Sequence, residues 1–281
     1  MHSLHDVLAP AKLNLFLHIT GRRDDGYHLL QSVFMLIDWC DTLHFEKRSG
    51  GGISREDLTV ALPDNDLITR AARLLQTHTG CTDGVHIAVE KQIPAQAGMG
   101  GGSSDAATCL LALNRLWKLK LQLTELEKLG LKLGADVPFF LRGRNAWVEG
   151  IGEQITPIDL PAAHFWVLKP PTGIETSQIF AHPDLKRDTN TATMSVFAAE
   201  TYDFGHNDLQ PVAQALCPGV EQALQALNQA GLKAKMTGSG SAVFAHCMDS
   251  TTKVSVPDLF LARLCSNLEA HPLKAWASSD S

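Results

Sequence analysis

The sequence predicts an α+β fold, and three observations carry that expectation. Several segments alternate apolar and polar residues, as half-buried strands do. Others repeat apolar residues at helical spacing and stop at glycine. The strand-like segments are joined by turn residues as hairpins rather than alternating strictly with helices, which disfavours an all-parallel βαβ sheet. With 281 residues and 44% hydrophobic content, the chain can bury one large core or two moderate ones.

Residues 7–19 (VLAPAKLNLFLHI) read as a strand with Lys12 and Asn14 on one face, and GRRDDGYH follows as a tight turn. SVFMLIDWCDTLHFEK resumes a strand pattern, and RSGGGIS reads as a hairpin connection. From Asp66 the period changes to that of a helix ending at Gly80. VHIAVEKQI is a strand leading into a glycine run, after which Ser103 or Ser104 is expected to cap a helix with Asp105 in its first turn. LTELEKLGLKLG is a second helix, and NAWVEGIGEQITPI a hairpin. FWVLKPPTGIETSQIF joins a strand to a Pro-Pro turn, residues 183–206 read as a mobile loop, and Pro211 and Pro218 mark helix starts or bends. KAKMTGSGSAVFAH reads as strand, glycine turn, strand.

A net charge of −6 argues against a general affinity for nucleic acid or acidic membranes, though not against a local phosphate site. The six cysteines form no C-x-x-C pair, which suggests free thiols in a reducing compartment. No secretory signal pattern and no bilayer-length apolar run is visible, so the expected location is the cytoplasm.

The chemistry concentrates in PAQAGMGGGSSDAA, Pro94 to Ala107. Gly98, Gly100, Gly101 and Gly102 would let backbone N–H groups converge on an anion, with a helix N-terminus and the Ser103 and Ser104 hydroxyls facing it. A sharp strand-to-helix corner is the bland alternative. Neither G-K-[ST] nor G-x-G-x-x-G occurs here, and the protein-kinase H-R-D and D-F-G signatures are missing.

This segment resembles the second motif of the GHMP kinases, a superfamily of small-molecule kinases. APAKLNLFLHITGRRDDGYH resembles the first motif and MTGSGSAVFA the third, in the same order, and the likeness runs over about residues 8–247. GMGGGSSDAA and GADVPFFL are most similar to the branch that phosphorylates the 2-hydroxyl of a methylerythritol unit carrying a cytidine diphosphate group. The resemblance implies a two-domain α+β fold with the active site in the interdomain cleft. Residues 1–157 would form the ATP-binding domain and residues 158–281 the substrate-binding domain. It implies ATP and Mg²⁺, with no protein metal ligand assigned, and a monomer or weak homodimer. By position, Lys12 and Asp136 would be the catalytic pair. Pro94, the loop glycines, Ser103, Ser104 and Asp66 would hold ATP. Asn14, Tyr27, His28, Thr176, Phe180, Gly238 and Ser239 would contact the acceptor. Gln96 and Met99 replace the more usual Gly and Leu, and Asp66 stands where Asn is common.

The residue chemistry agrees with those roles while leaving plainer readings open. Asp136 in an apolar stretch could be a base with a raised pKa, or a turn aspartate. Lys12 on an apolar strand needs a partner if buried, and otherwise points outward. Tyr27 and Phe180 suit stacking on a pyrimidine, with ordinary packing as the alternative for Phe180. His28 can offer a donor and an acceptor to a base edge. Gly238, Ser239 and Gly240 alone would be a hairpin corner.

Overall fold

The structure, a computed structural model, describes residues 2–276. In chain order the first half contains β1 (Ser3–Arg22), β2 (His28–Arg48), β3 (Ile53–Asp57), α1 (Leu67–Thr79), β4 (Gly84–Glu90), α2 (Gly101–Leu116), α3 (Leu123–Leu131), α4 (Val137–Arg142), β5 (Ala146–Glu149) and β6 (Gln154–Pro157). The second half contains β7 (His164–Lys169), α5 (Thr176–Ala181), α6 (Met194–Ala199), α7 (Gln210–Leu216), α8 (Pro218–Gln229), β8 (Ala234–Met236), β9 (Val243–Cys247) and β10 (Leu261–Ser266). The first sheet runs β3-β4-β2-β5-β6 with β1 also paired to β2, and the second runs β10-β7-β9-β8. The mixed α+β reading holds.

The strands of β1 and β2 are apolar on both faces because both faces are covered. On β2, Phe34 and Leu36 join Leu110, Leu113 and Phe139 in a core beneath the helices of the first half. Val33, Met35 and Ile37 point the other way and pack with Phe165, Val167 and Phe244 of the second sheet. A third core lies between the second sheet and α7 and α8. Helices, sheet, sheet and helices therefore stack in layers, each apolar face buried against the next. Lys12 pairs with Leu36 and Asn14 with Phe34, which puts both polar residues on the face where α2 begins.

Local signals placed most elements. Asp66 caps α1 by accepting from the backbone N–H groups of Ile68 and Thr69, and Gly80 closes it in the left-handed conformation. Pro211 and Pro218 stand in the first turns of α7 and α8.

Three expectations need correction. RSGGGIS is not a hairpin connection: β3 pairs in parallel with β4, which lies between it and β2. β4 pairs antiparallel with residues 42–48 of β2 and so takes the edge that a hairpin would have used. The helix after the glycine run starts earlier than expected. Gly100 is its N-cap, with φ of 71° and no side-chain cap, so Ser103 and Ser104 lie inside α2 and Asp105 is its fifth residue. Residues 183–206 are anchored rather than loose, since Leu185, Thr189 and Phe197 are buried and α6 forms within them.

The C-terminal part shows no strong sequence pattern, yet β10 joins the second sheet beside β7 and the chain then crosses back to the first half. There Leu268 N donates to Leu36 O at 2.9 Å, His271 N donates to Gly143 O at 2.9 Å, and Leu273 enters the first core. No helix among the described residues is long and apolar enough to cross a membrane. If this return segment holds the halves together, Leu273→Ala should lower the unfolding free energy by about 2–4 kcal/mol in urea denaturation. A loss below about 0.5 kcal/mol, the level of an ordinary surface change, would show that the segment is not docked.

Candidate active site

The two glycine turns meet backbone to backbone. The Ser241 N–H donates to Gln96 O at 3.0 Å and the Ala242 N–H to Ala97 O at 3.3 Å. A Cβ on Gly238 would lie 2.6 Å from Gly98 O, and one on Gly98, whose φ is 70°, would overlap the Thr237 carbonyl oxygen. Only glycine permits that approach. β1 ties into both turns, because Lys12 N donates to Met99 O and Asn14 N to Thr237 Oγ1, each at 2.9 Å. Asn207, unmarked by any sequence motif, completes the floor: its amide donates to Met236 O and Gly238 O, both at 2.8 Å.

Above this floor lies a cleft of about 820 Å³ lined by Lys12, Asn14, Pro94, Gly98, Gly100, Gly101, Gly102, Ser103, Asp136, Thr176, Phe180, Gly238 and Ser239, with Asp66 at its wall. The structure thus brings together most of the residues singled out from sequence. Tyr27 and His28 line a neighbouring cavity instead, and Ser104 lines neither. Ser104 is fully buried within α2, and its hydroxyl has no partner among the described residues. The carboxylate of Asp66 is committed to capping α1 and to Arg55 at 2.7 Å. Gln96, where glycine is usual, holds a positive φ of 49° and donates to Glu175 Oε1 across the cleft. Ser239 and Thr176 share a hydrogen bond of 2.7 Å.

Lys12 is the cation of the cleft floor that meets Asp136. Its Nζ donates to Asn14 Oδ1, lies 3.7 Å from Asp136 Oδ2 and stands 4.6 Å from the Phe34 ring centroid. Burial lowers the Lys12 pKa, and the charge of Asp136 opposes the shift. Asn14 is itself oriented by donating to Ser32 Oγ at 2.9 Å. Asp136 precedes α4 but makes no side-chain cap bond, so its carboxylate is not used as a turn aspartate. Nor is it enclosed by apolar groups as its sequence context suggested: its side chain is 33% exposed and opens to the cleft.

Sequence reasoning missed a second charged cluster beneath the start of α2. Lys91 Nζ bonds Asp105 Oδ2 at 2.6 Å and also bonds Asp41, whose other oxygen accepts from the N–H groups of Gln92 and Ile93. Burial pushes the Asp105 carboxyl up to about 8, with Lys91 opposing and Asp41 reinforcing that shift. The three residues are 50 and 14 positions apart in sequence, so no local pattern announces them.

A second cavity of about 450 Å³ is lined by Asp25, Gly26, Tyr27, His28, Leu30, Ile151 and Phe180. It shares Leu30, Ile151 and Phe180 with the main cleft, so the two adjoin at these side chains. Phe180 leans on the His28 ring at 5.1 Å between centroids, and Tyr27 is 60% exposed. Among the described residues no group of three His, Cys, Asp or Glu side chains could by itself hold a metal ion.

Known proteins resemble this chain in sequence and fold. Residues 66–144 match the family described as GHMP kinases N terminal domain, and residues 190–256 match GHMP kinases C terminal. The chain is 62% identical to a 4-diphosphocytidyl-2-C-methyl-D-erythritol kinase of Paracidovorax citrulli (strain AAC00-1), covering 100% of both chains. It is 60% identical to the protein of the same description from Variovorax paradoxus (strain S110), covering 99% of this chain and 100% of that one. A crystal structure of 4-(cytidine 5'-diphospho)-2C-methyl-D-erythritol kinase superposes with a TM-score of 0.79 at 33% identity, over 92% of this chain and 98% of the other. Homoserine kinase from Cytophaga hutchinsonii shares the fold, with a TM-score of 0.69 at 15% identity over 96% of each chain.

The glycine contact separates two substitutions. Gly98→Ala combines a positive φ with backbone overlap and should cost about 2 kcal/mol or more. Gly102→Ala would meet only Leu67 at an ordinary 3.5 Å and should change stability by less than about 1 kcal/mol. Equal losses in urea denaturation would mean that the turns do not depend on glycine for their approach.

Proposed function

The chain belongs to the GHMP kinases, in the family of 4-diphosphocytidyl-2-C-methyl-D-erythritol kinases, and on that premise we propose how its residues divide the work of phosphoryl transfer. It transfers the γ-phosphoryl group of ATP to the 2-hydroxyl of 4-diphosphocytidyl-2-C-methyl-D-erythritol. The observation that carries this reading is the adjacency of the two cavities. A cleft floored by glycine turns adjoins a side pocket at Leu30, Ile151 and Phe180, which suits an acceptor that carries a nucleotide. A small acceptor such as homoserine would leave that pocket without a purpose.

In this assignment the backbone N–H groups at Gly98 to Gly102 and the first turn of α2 hold the ATP phosphates, with the Ser103 hydroxyl beside them. Ser104, buried within the helix, supports the turn from inside, and Asp66 shapes the adenine side through its cap and Arg55. Asp136 accepts the proton of the 2-hydroxyl as the new O–P bond forms and the bond to ADP breaks. Lys12 pairs with Asp136 and, being shielded from water, attracts the developing alkoxide more strongly than an exposed lysine would. Asn14 orients Lys12, and Thr176 with Ser239 contacts the acceptor near its reacting end. Tyr27, His28 and Phe180 receive the cytosine. Placing the acceptor oxygen in line is the larger part of catalysis for a reaction of this type.

Mg²⁺ fits as a partner of the ATP phosphates rather than of a protein cage, because the cleft offers a backbone cradle and a serine hydroxyl but no cluster of ligands. When bound it would neutralise phosphate charge. The domain division follows the two sheets, residues 1–157 carrying the ATP side and residues 158–281 the acceptor side. A cytoplasmic enzyme, monomeric or weakly dimeric, without nucleic-acid or membrane partners, completes the proposal.

³¹P NMR tests the reaction directly. With ATP, Mg²⁺ and 4-diphosphocytidyl-2-C-methyl-D-erythritol, a new phosphomonoester resonance should grow as ADP appears, and none should grow with mevalonate or homoserine. A signal with either of those and not with the cytidyl substrate would overturn the assignment.

A further inference from the structure

Arg187 lies in the segment between α5 and α6 where no family motif reaches, yet it holds both walls of the side pocket. Its Nε donates to His28 Nε2 at 3.0 Å. Its Nη2 donates to Phe180 O at 3.3 Å and to His182 O at 2.9 Å, and its Nη1 donates to Leu185 O at 2.8 Å. A guanidinium has no acceptor and keeps its charge at any ordinary pH. His28 Nε2 must therefore be the unprotonated nitrogen. Burial, together with the charges of Arg187 and Arg22, lowers the His28 pKa and keeps the ring neutral. A neutral ring with a bare Nε2 carries its proton on Nδ1. No protein group among the described residues pairs with that Nδ1–H.

We infer that Arg187 is a positioning residue that fixes the His28 tautomer and so makes the pocket select cytosine over uracil. This rests on the substrate reading above. A single N–H at Nδ1 matches the acceptor edge of cytosine, where N3 and O2 both carry lone pairs. Uracil presents N3–H at the same place, and two donors would then face each other. A pocket built to satisfy one hydrogen-bond pattern rejects the analogue that leaves a buried donor unpaired. Without Arg187 the ring could move its proton to Nε2, present an acceptor at Nδ1 and pair with N3–H of uracil instead. The arginine thus sets the base preference without touching the base.

Two measurements on the folded chain decide this. Side-chain ¹⁵N NMR, with the His28 signal assigned by its loss in His28→Gln, should show Nδ1 protonated and Nε2 bare. Calorimetry should show CDP binding about tenfold to a hundredfold more tightly than UDP. In Arg187→Met the His28 signals should become those of mixed tautomers and the CDP/UDP ratio should fall to about threefold or less, with ATP affinity unchanged. A proton on Nε2 in the unmodified chain, or a ratio that survives in Arg187→Met, would overturn the inference. Arg187 also holds backbone carbonyls, so should Arg187→Met not fold, the tautomer and the nucleotide ratio of the unmodified chain decide it alone. Failure of CDP to bind the unmodified chain would refute the substrate reading instead, while the tautomer would still judge the role of Arg187.

Discussion

The close approach of the two glycine turns is the constraint on which the site depends. Gly98 and Gly238 leave no room for a side chain between them, and the turns are joined by hydrogen bonds from Ser241 to Gln96 and from Ala242 to Ala97. One turn comes from the first half of the chain and the other from the second, so the contact also joins the two sheets at the cleft. β1 is bonded to both turns through Lys12 N and Asn14 N. The backbone of Lys12 is therefore placed by the same contacts that shape the glycine turns.

Burying Lys12 in that position has an electrostatic consequence. Desolvation disfavours the ammonium, and among the described residues Asp136 alone opposes it with a charge. Asn14 supplies a dipole and Phe34 a ring face, neither of which carries a compensating charge. The lysine is left short of partners on the side that opens to the cleft, which is where an acceptor oxygen developing negative charge would stand. In the proposed mechanism the interaction that Lys12 lacks at rest is made during the reaction. The Asp41–Lys91–Asp105 cluster has the opposite character: Lys91 bonds two carboxylates and its part is to fix the exit of β4 and the start of α2.

Much of the fold was legible because its signals are local. The Asp66 cap, the Gly80 stop, the prolines of α7 and α8 and the hairpin of β5 and β6 are each decided within a few residues. Misread features were decided at a distance. Ser103 looks like a cap in sequence, but Gly100, left-handed and packed against the distant Phe140 and Lys12, starts the helix three residues earlier. The glycines after β2 look like a hairpin, but β4, some forty residues on in the chain, pairs more favourably with β2. For the site, the ordered motifs led to Lys12, Asp136 and the glycine turns. They could not lead to Lys91, Asn207 or Arg187, whose partners are brought together only by folding; Arg187 and His28 are 159 positions apart.

The proposed base role of Asp136 would join the glycine contact to the chemistry, and a rapid-quench measurement tests it most directly. The rate of phosphoryl transfer to 4-diphosphocytidyl-2-C-methyl-D-erythritol would be compared between the unmodified chain and Asp136→Asn, with ATP affinity measured in parallel. Loss of a general base should slow transfer about 10²–10⁴-fold. ATP affinity should stay within about twofold, less than a 0.5 kcal/mol change. A rate within about tenfold of the unmodified chain, with ATP still bound, would contradict the role of Asp136 as the base.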